Sequence, residues 1–542
     1  MLLGYMMRKV RFLSQYRQMQ FKKEHEEEVS QEEHEQEMGQ SLSKNLEELL
    51  ALLANSSDVL VHPFRFGAGN HMSGSLVYID GMADKAILTD GILLPIVRWS
   101  GEKNNMPEDA DLLDVLKQEI LCSAGMQIKR SLPEFAAGCL SGDTVLLVDG
   151  IAGGLIIDSK GWEKRAVSEP QSESVVRGPR EGFTENLRTN TSMIRRKIRH
   201  GQLKLEQMTV GRKTQTAICL MYLDGVANPK VVDTVRYRIS HLDVESILES
   251  GFIEEYIEDA PFSPFPTIGY SEKPDVVAAG ILEGRVAIVV DGTPLVLTAP
   301  MLFVESFQTA EDYYNKPVHS SIVRIIRYIC FLFTVFAPAI YIALSSFHQE
   351  LIPTTLLFTI AKAREGTPFP VFLEALIMIF AFEVLREAGV RLPRPVGQAI
   401  SIVGALVMGE AAVNAGIVGA PMVITIAFTS VSGFLVPHLN NSASLLRIVM
   451  MIPAAFVGIY GVILGFLGLL IHLATLESFG IPYFDSFSRS GNIVDTFVRF
   501  PLWAMLKRPW GISYRDRTRG HFFIPPLRPF DFQMDDSEAD DL

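Results

Sequence analysis

Short apolar runs fill the chain between residues 46 and 300, and four of these runs end in Asp-Gly. Each of the four is followed by another short apolar run. A strand, then Asp-Gly, then a second strand is the pattern of a tight β-hairpin, because glycine accepts the positive φ of such turns. The sequence therefore predicts four hairpins, and turn geometry accounts for the four aspartates without catalysis or metal binding. The turns are Asp80-Gly81, Asp149-Gly150, Asp224-Gly225 and Asp291-Gly292.

These turns also recur in pairs with similar surroundings. Asp80 and Asp224 lie 144 positions apart, and Asp149 and Asp291 lie 142 positions apart. Two nearly equal offsets indicate a tandem duplication. We therefore predict an α/β cytoplasmic region of two tandem related subdomains, with helical stretches at 111–121 and 191–211 packed on the sheets.

The predicted segments follow from shifts in composition. They are an acidic, disordered extension at 1–45, subdomain 1 at 46–168, a linker at 169–182, subdomain 2 with a juxtamembrane segment at 183–315, an α-helical polytopic membrane domain at 316–480, and a cytoplasmic C-terminal tail at 481–542.

The membrane domain is predicted from apolar stretches long enough to span a bilayer, which takes about 20 residues. We predict four crossings, at 322–347, at 370–388, once within 396–436 and at 445–476, with an interruption around 414–421. The stretch 351–361 is too short to span a bilayer and is predicted to be an interfacial or re-entrant segment. Lysine and arginine cluster in the flanking loops that would face the cytoplasm, so both chain ends are expected there.

The composition and motifs of the chain exclude several classes of function. A net charge of -13 disfavours a nucleic-acid partner, which requires basic clusters. The four cysteines, Cys122, Cys139, Cys219 and Cys330, lack the spacing of a zinc site or a disulfide framework. No phosphate-binding loop, nucleophile elbow or zinc-protease motif occurs. We therefore predict no catalytic residue, metal site or cofactor.

Three carboxylates in the predicted membrane domain could carry function, because a charge at mid-membrane is costly and usually faces protein or water. Glu374 lies one turn after Pro370 and is expected at headgroup depth. Glu383 is expected to pair with Arg386 three positions later, closing the helix end.

Glu410 lies in a segment rich in glycine and alanine, which permits close helix packing. A mostly apolar helix stripe with one carboxylate could line a gated aqueous path if several copies surround an axis. The alternative is a buried polar contact between helices. The predicted pore-lining residues are Val403, Leu406, Glu410, Val413, Asn414 and Ile417.

Several blocks in order resemble the GerA family of spore germination proteins. They are SDVLVHPF, the YIDG turn, FQTAEDYYNKP, FEVLREAGVRLP and RPVGQAISIVGALVMGEAAVNAGIV. The resemblance extends from Leu46 to about Arg519 and includes A subunits of nutrient germinant receptors and their stage V sporulation AF paralogues.

The resemblance implies a multi-pass protein of the spore inner membrane with cytoplasmic N- and C-terminal regions and no enzymatic activity. It also implies a homo-oligomer, a pentamer, that forms a nutrient-gated channel for monovalent cations. The implied partners are a permease-like B subunit and a lipoprotein C subunit. Two other functions stay open, a membrane transporter and a non-conducting receptor or scaffold subunit of the germination complex.

Overall fold

The computed structural model describes residues 38–99, 112–121, 125–161, 170, 173, 175–391, 407–485, 495–509 and 511–519. The 1–45 extension lies almost wholly outside these residues, as do Cys122 and the tail beyond residue 519.

The first sheet has five antiparallel strands in the order β1-β2-β4-β5-β3. Its strands are β1 (Val59–Phe66), β2 (Met72–Ile79), β3 (Met126–Lys129), β4 (Thr144–Val148) and β5 (Gly154–Ile157). Its helices are α1 (Leu42–Leu52), α2 (Leu94–Arg98), α3 (Leu112–Val115) and α4 (Leu132–Ser141), with π-helical turns at Ile87–Leu93 and Leu116–Ile120.

The second sheet repeats this strand order as β6-β7-β9-β10-β8, again antiparallel. Its strands are β6 (Leu203–Val210), β7 (Thr216–Leu223), β8 (Gly269–Ser271), β9 (Val286–Val290) and β10 (Val296–Ala299). Its helices are α5 (Leu187–Lys197), α6 (Pro229–Ser240), α7 (Ser250–Ile257) and α8 (Pro274–Glu283). The N-terminal region thus holds two β-sheet subdomains with helices packed on antiparallel sheets, and not the parallel strands of a typical α/β fold.

Both faces of each sheet are buried. In β9, Ile288 and Val290 belong to one apolar core, whereas Ala287 and Val289 belong to the core on the opposite face. Alternation with a period of two residues produces this division.

Two of the four predicted hairpins are confirmed. The Asp149 turn joins β4 to β5 and the Asp291 turn joins β9 to β10. The other two predictions are wrong, because the Asp80 and Asp224 turns lead from a strand into a helix. The glycine has positive φ in all four turns, which is the property they share.

The predicted helical stretch at 191–211 is also wrong in its second half. Helix α5 ends at Lys197, and residues 203–210 form strand β6. Asn186 begins α5 by accepting a hydrogen bond from the Thr189 amide.

A buried ion pair joins the two subdomains. Arg195 of α5 donates from Nη2 to Asp58 Oδ1 over 2.8 Å and from Nε to Asp58 Oδ2 over 3.1 Å. The Ser56 hydroxyl completes the site at 3.1 Å from Arg195 Nη2. Each charge therefore has a partner, which a buried ion pair requires.

The C-terminal part is helical. After the short helix α9 (Ala310–Tyr314) come α10 (Pro317–Ser346), α11 (Thr354–Ala363), α12 (Val371–Arg391), α13 (Ala420–Gly433), α14 (Asn440–Val457) and α15 (Ile459–Thr475). A two-stranded ribbon, β11 (Glu477–Ser478) and β12 (Ile481–Pro482), follows. Within the described residues, Pro317–Ser346 and Pro437–Val457 are long and apolar enough to cross a membrane.

The predicted single helix at 445–476 is instead two antiparallel helices. Helix α14 ends at Gly458, whose φ of 68° and ψ of -140° favour glycine. Gly461 and Gly465 of α15 then lie against Pro453 and Met450 of α14, so the chain folds back. The four-crossing arrangement assumed one helix over this stretch, and the number of crossings stays a prediction.

The interruption predicted around 414–421 is present. Residues 407–414 are helical, a turn follows, and α13 begins at Ala420. Gly409 lies beside Val423, so the two helical segments pack against each other.

Candidate functional site

Helix α9 connects the second sheet to the first long apolar helix. Its sequence AEDYY is preceded by Thr309, and a capping box between Thr309 and Asp312 fixes the start of the helix. Pro317 then begins α10, where a proline without an N–H is well placed. The short helix therefore has a defined orientation beside the start of α10.

Asp312 binds two arginines of α10. Arg327 Nη1 donates to Asp312 Oδ2 over 2.8 Å, and Arg324 Nη2 donates to the same oxygen over 3.2 Å. Only 3% of the Asp312 side chain is exposed, and none of the Arg324 side chain. Arg324 also pairs with Asp495 at 2.8 Å. Both arginines near the start of α10 are thus buried in ion pairs.

The other polar residues of α9 reach different parts of the molecule. The Glu311 carboxylate accepts hydrogen bonds from the backbone amides of Val176 and Arg177, in the segment between the subdomains. The Tyr314 hydroxyl donates to Asp275 at the start of α8.

Tyr313 binds the C-terminal segment. Its hydroxyl donates to Asp495 Oδ2 over 2.7 Å, and its carbonyl accepts from Arg499 Nη2 over 3.2 Å. Burial, followed by the charge of Asp495, raises the pKa of Tyr313 well above its usual value. Burial also raises the pKa of Asp495, although Arg324 acts in the opposite direction. The tyrosine therefore stays a neutral donor.

Four consecutive side chains thus bind four separate parts of the chain: the inter-subdomain segment, the first apolar helix, the C-terminal segment and subdomain 2. We call Glu311–Tyr314 and these partners the junction. A rigid-body movement of either the two β-sheet subdomains or α10 would strain or break the hydrogen bonds of the junction.

A cavity of about 550 Å³ lies beside the junction. Tyr313 and Tyr314 form part of its wall, together with Asp275, His438 and Arg508. Among the described residues, no group of three or more His, Cys, Asp and Glu side chains is arranged to hold a metal ion.

The predicted membrane carboxylates lie in three different settings. Glu374 is only 1% exposed, so it is buried in protein, and its expected position at headgroup depth stays a prediction. It accepts from Arg364 Nη2 over 3.2 Å and from the Gly419 amide over 3.1 Å, and thereby ties the start of α12 to the start of α13.

Glu383 and Arg386 form an ion pair of 2.8 Å, and Arg386 also donates to the Ser444 hydroxyl over 3.2 Å. The pair therefore links α12 to α14.

The predicted pore stripe is only partly described. Val403 and Leu406 lie outside the described residues. Glu410 and Asn414 are exposed and Val413 is half-buried on the helical segment 407–414. Ile417 was expected on the same helix, which is wrong because the helix ends before it and Gly416 has a φ of 66°.

Glu410 has no hydrogen-bond or ion-pair partner among the residues that the structure describes. The alternative of a polar contact between helices of one chain is therefore not observed there.

Sequence reasoning assigned no role to the junction. Two sequence features indicate it in hindsight. The polar segment FQTAEDYYNKP precedes an apolar helix, and that helix carries two arginines three positions apart, whose charges need partners. The partners Val176, Asp275 and Asp495 are distant in sequence and cannot be read from local pattern.

The sequence profile described as "Bacillus/Clostridium GerA spore germination protein" matches residues 47–510. The chain belongs to this family, so the resemblance seen in the sequence is confirmed.

Similar proteins include the "Uncharacterized membrane protein YfkQ" of Bacillus subtilis (strain 168), 43% identical over 484 residues, which are 89% of this chain and 93% of that protein. "Spore germination protein KA" of the same organism is 43% identical over 483 residues, 88% of each chain. "Spore germination protein GerLA" of Bacillus cereus is 36% identical over 482 residues, 88% of this chain and 97% of that one.

A solved structure is also similar, the N-terminal domain of the A subunit of the Bacillus megaterium spore germinant receptor GerK3. The identity is 37%, the TM-score is 0.40, and the match covers 49% of this chain and 97% of that chain.

Proposed function

We propose that this protein is the A subunit of a nutrient germinant receptor in the spore inner membrane. The support is family membership together with relatives that are named spore germination proteins over most of their length. In this proposal the apolar helices cross the membrane several times, the soluble subdomains lie on the cytoplasmic side, and a permease-like B subunit and a lipoprotein C subunit are the partners.

The junction is proposed to relay the signal. Asp312 holds α10 through Arg324 and Arg327, while Glu311 holds the segment between the subdomains. A change in the soluble region after a partner binds nutrient would therefore move the start of α10.

The response is proposed to be the release of monovalent cations through an oligomeric, pentameric pore. Exposed Glu410 supports this, because a carboxylate on an otherwise apolar membrane helix needs water or a neighbouring subunit. In a closed ring of copies, the half-buried Val413 would form an apolar constriction next to that carboxylate.

The proposal is tested in spores that carry Val413→Ser, with Val431→Ser on α13 as the matched control because Val431 is exposed. We expect the first variant to leak monovalent cations and germinate without nutrient, and the control to retain them. Equal cation retention by both variants would contradict the pore.

The mass of the detergent-solubilised complex separates a channel from the alternatives. A ring of copies is required for conduction, since a single chain with so few helices cannot enclose a path. A monomer that conducts nothing in liposomes would favour a transporter or a non-conducting receptor or scaffold subunit.

A further inference from the structure

The loop formed by residues 259–266, sequence DAPFSPFP, carries two phenylalanines with opposite environments. Phe265 is fully buried at the base of the helical bundle, with its ring 6.0 Å from Phe303 and 6.5 Å from Tyr483. Phe262 is completely exposed, with a relative exposure of 101%. Three prolines restrict the backbone φ of this loop, so the outward position of Phe262 is a property of the fold.

The 259–266 loop is bound to the ends of two apolar helices. The Ser263 hydroxyl lies 2.9 Å from His472 Nε2, near the end of α15. The Ser442 hydroxyl, at the start of α14, donates to the Pro264 carbonyl. Phe262 therefore lies at the end of the helical bundle that faces the soluble subdomains.

The acidic residues Asp259, at the start of the loop, and Glu258, just before it, both have partners within the protein. Asp259 pairs with Arg238 at 2.5 Å and accepts from the Phe479 amide. Glu258 accepts from the Thr267 hydroxyl over 3.1 Å. The exposed residues of the loop are Asp259, which is paired with Arg238, and the apolar residues Pro261 and Phe262.

The 259–266 loop meets α15 near the end of that helix, and the outer face of α15 is apolar. Leu467 and Ile471 on that helix are 48% and 65% exposed, and His472, one residue further, contacts the loop. If the exposed apolar face of α15 meets lipid, an aromatic side chain at its end falls at the boundary between acyl chains and headgroups, where aromatic residues are enriched in membrane proteins.

We propose that Phe262 and Pro261 insert into the bilayer surface and attach subdomain 2 to the membrane directly. The occupant of this surface is lipid, because the loop contacts His472 at the end of α15, a helix with an exposed apolar face, and because Asp259 is paired with Arg238. The inference rests on the proposed membrane location of the helices.

The test uses tryptophan fluorescence of the full chain in lipid vesicles, with Phe262→Trp as the reporter. Leu467→Trp on α15 is the positive control, and Leu60→Trp on β1, an exposed position of the first sheet, is the negative control. Each variant is compared with the parent chain in phosphatidylcholine brominated either near the headgroup or near the middle of the acyl chain. Bromine quenches only tryptophan that lies close to it.

We expect Phe262→Trp to lose fluorescence most with bromine near the headgroup and Leu467→Trp to lose it most with mid-chain bromine. Leu60→Trp should show no loss in either lipid. If Leu467→Trp is quenched and Phe262→Trp is not, the proposed contact between Phe262 and lipid is wrong. If neither tryptophan variant is quenched, the proposed membrane location of the helices is wrong, and the proposed function is then wrong as well.

Discussion

Replacing Asp312 by asparagine removes the negative charge that two buried arginines share. Arg324 keeps Asp495 as a partner, whereas Arg327 keeps only the neutral acceptors Phe307 O and Thr309 Oγ1. Removing one partner of a buried ion pair costs about 3–5 kcal/mol. Because Arg324 is still paired and asparagine keeps one acceptor oxygen, we expect the free energy of unfolding to fall by about 3 kcal/mol, the low end of that range.

This loss of stability is measured as a lower unfolding temperature of the purified, detergent-solubilised protein. The matched control is Asp233→Asn, because Asp233 also pairs with an arginine but its side chain is 70% exposed. An exposed pair contributes about 0–1 kcal/mol, so the control should unfold near the parent temperature. Limited proteolysis should also cut the segment around Asp495 faster in Asp312→Asn. Equal unfolding temperatures for both variants would refute the idea that Asp312 holds the junction together.

Three further predictions concern other parts of the fold. Asp58→Asn leaves the buried Arg195 without its charged partner and should lower stability by about 3–5 kcal/mol, measured by denaturant unfolding of the purified chain. Burial, then the charges of neighbouring glutamates, raises the pKa of Glu254 from 4.5 to about 7. The folded state therefore binds this proton more tightly than the unfolded chain does. The resulting contribution of Glu254 to folding stability is fully present below the pKa of the unfolded state and is lost as the pH rises through about 7. Between about pH 5 and about pH 8, Glu254→Gln should show a smaller fall in unfolding temperature than the parent, and equal falls would contradict the assignment. Gly458→Ala should destabilise the α14–α15 hairpin by about 1–3 kcal/mol, because the new methyl group meets His348 and the φ is positive. An unchanged unfolding temperature would show that the turn does not need glycine.

The sequence identified the strands more reliably than their connections. The Asp149 and Asp291 turns lead into a second strand, as predicted. The Asp224 turn leads instead to Asn228, whose side chain caps the following helix, and to Pro229 at its first position. An asparagine followed by proline is a helix-start signal that could have been read from the sequence.

Other features depend on contacts that local pattern does not encode. The apolar stretch 445–476 is long enough for one helix, and glycine occurs inside membrane helices, so Gly458 alone did not predict a reversal. The junction is a similar case, because the segment FQTAEDYYNKP is plain in the sequence but its partners are up to 186 positions away. The predicted pore stripe rested on an unbroken helix through Ile417, and the turn at Gly416 ends that helix.

The most direct test of the account is nutrient-triggered cation release from spores that carry Tyr313→Phe. This change removes only the hydroxyl that donates to Asp495, and Tyr237→Phe, at a tyrosine 63% exposed, is the control. With equal amounts of receptor in the membrane, we expect slower cation release for Tyr313→Phe and release at the parental rate for Tyr237→Phe. Release at the parental rate in both would contradict a junction that transmits the signal.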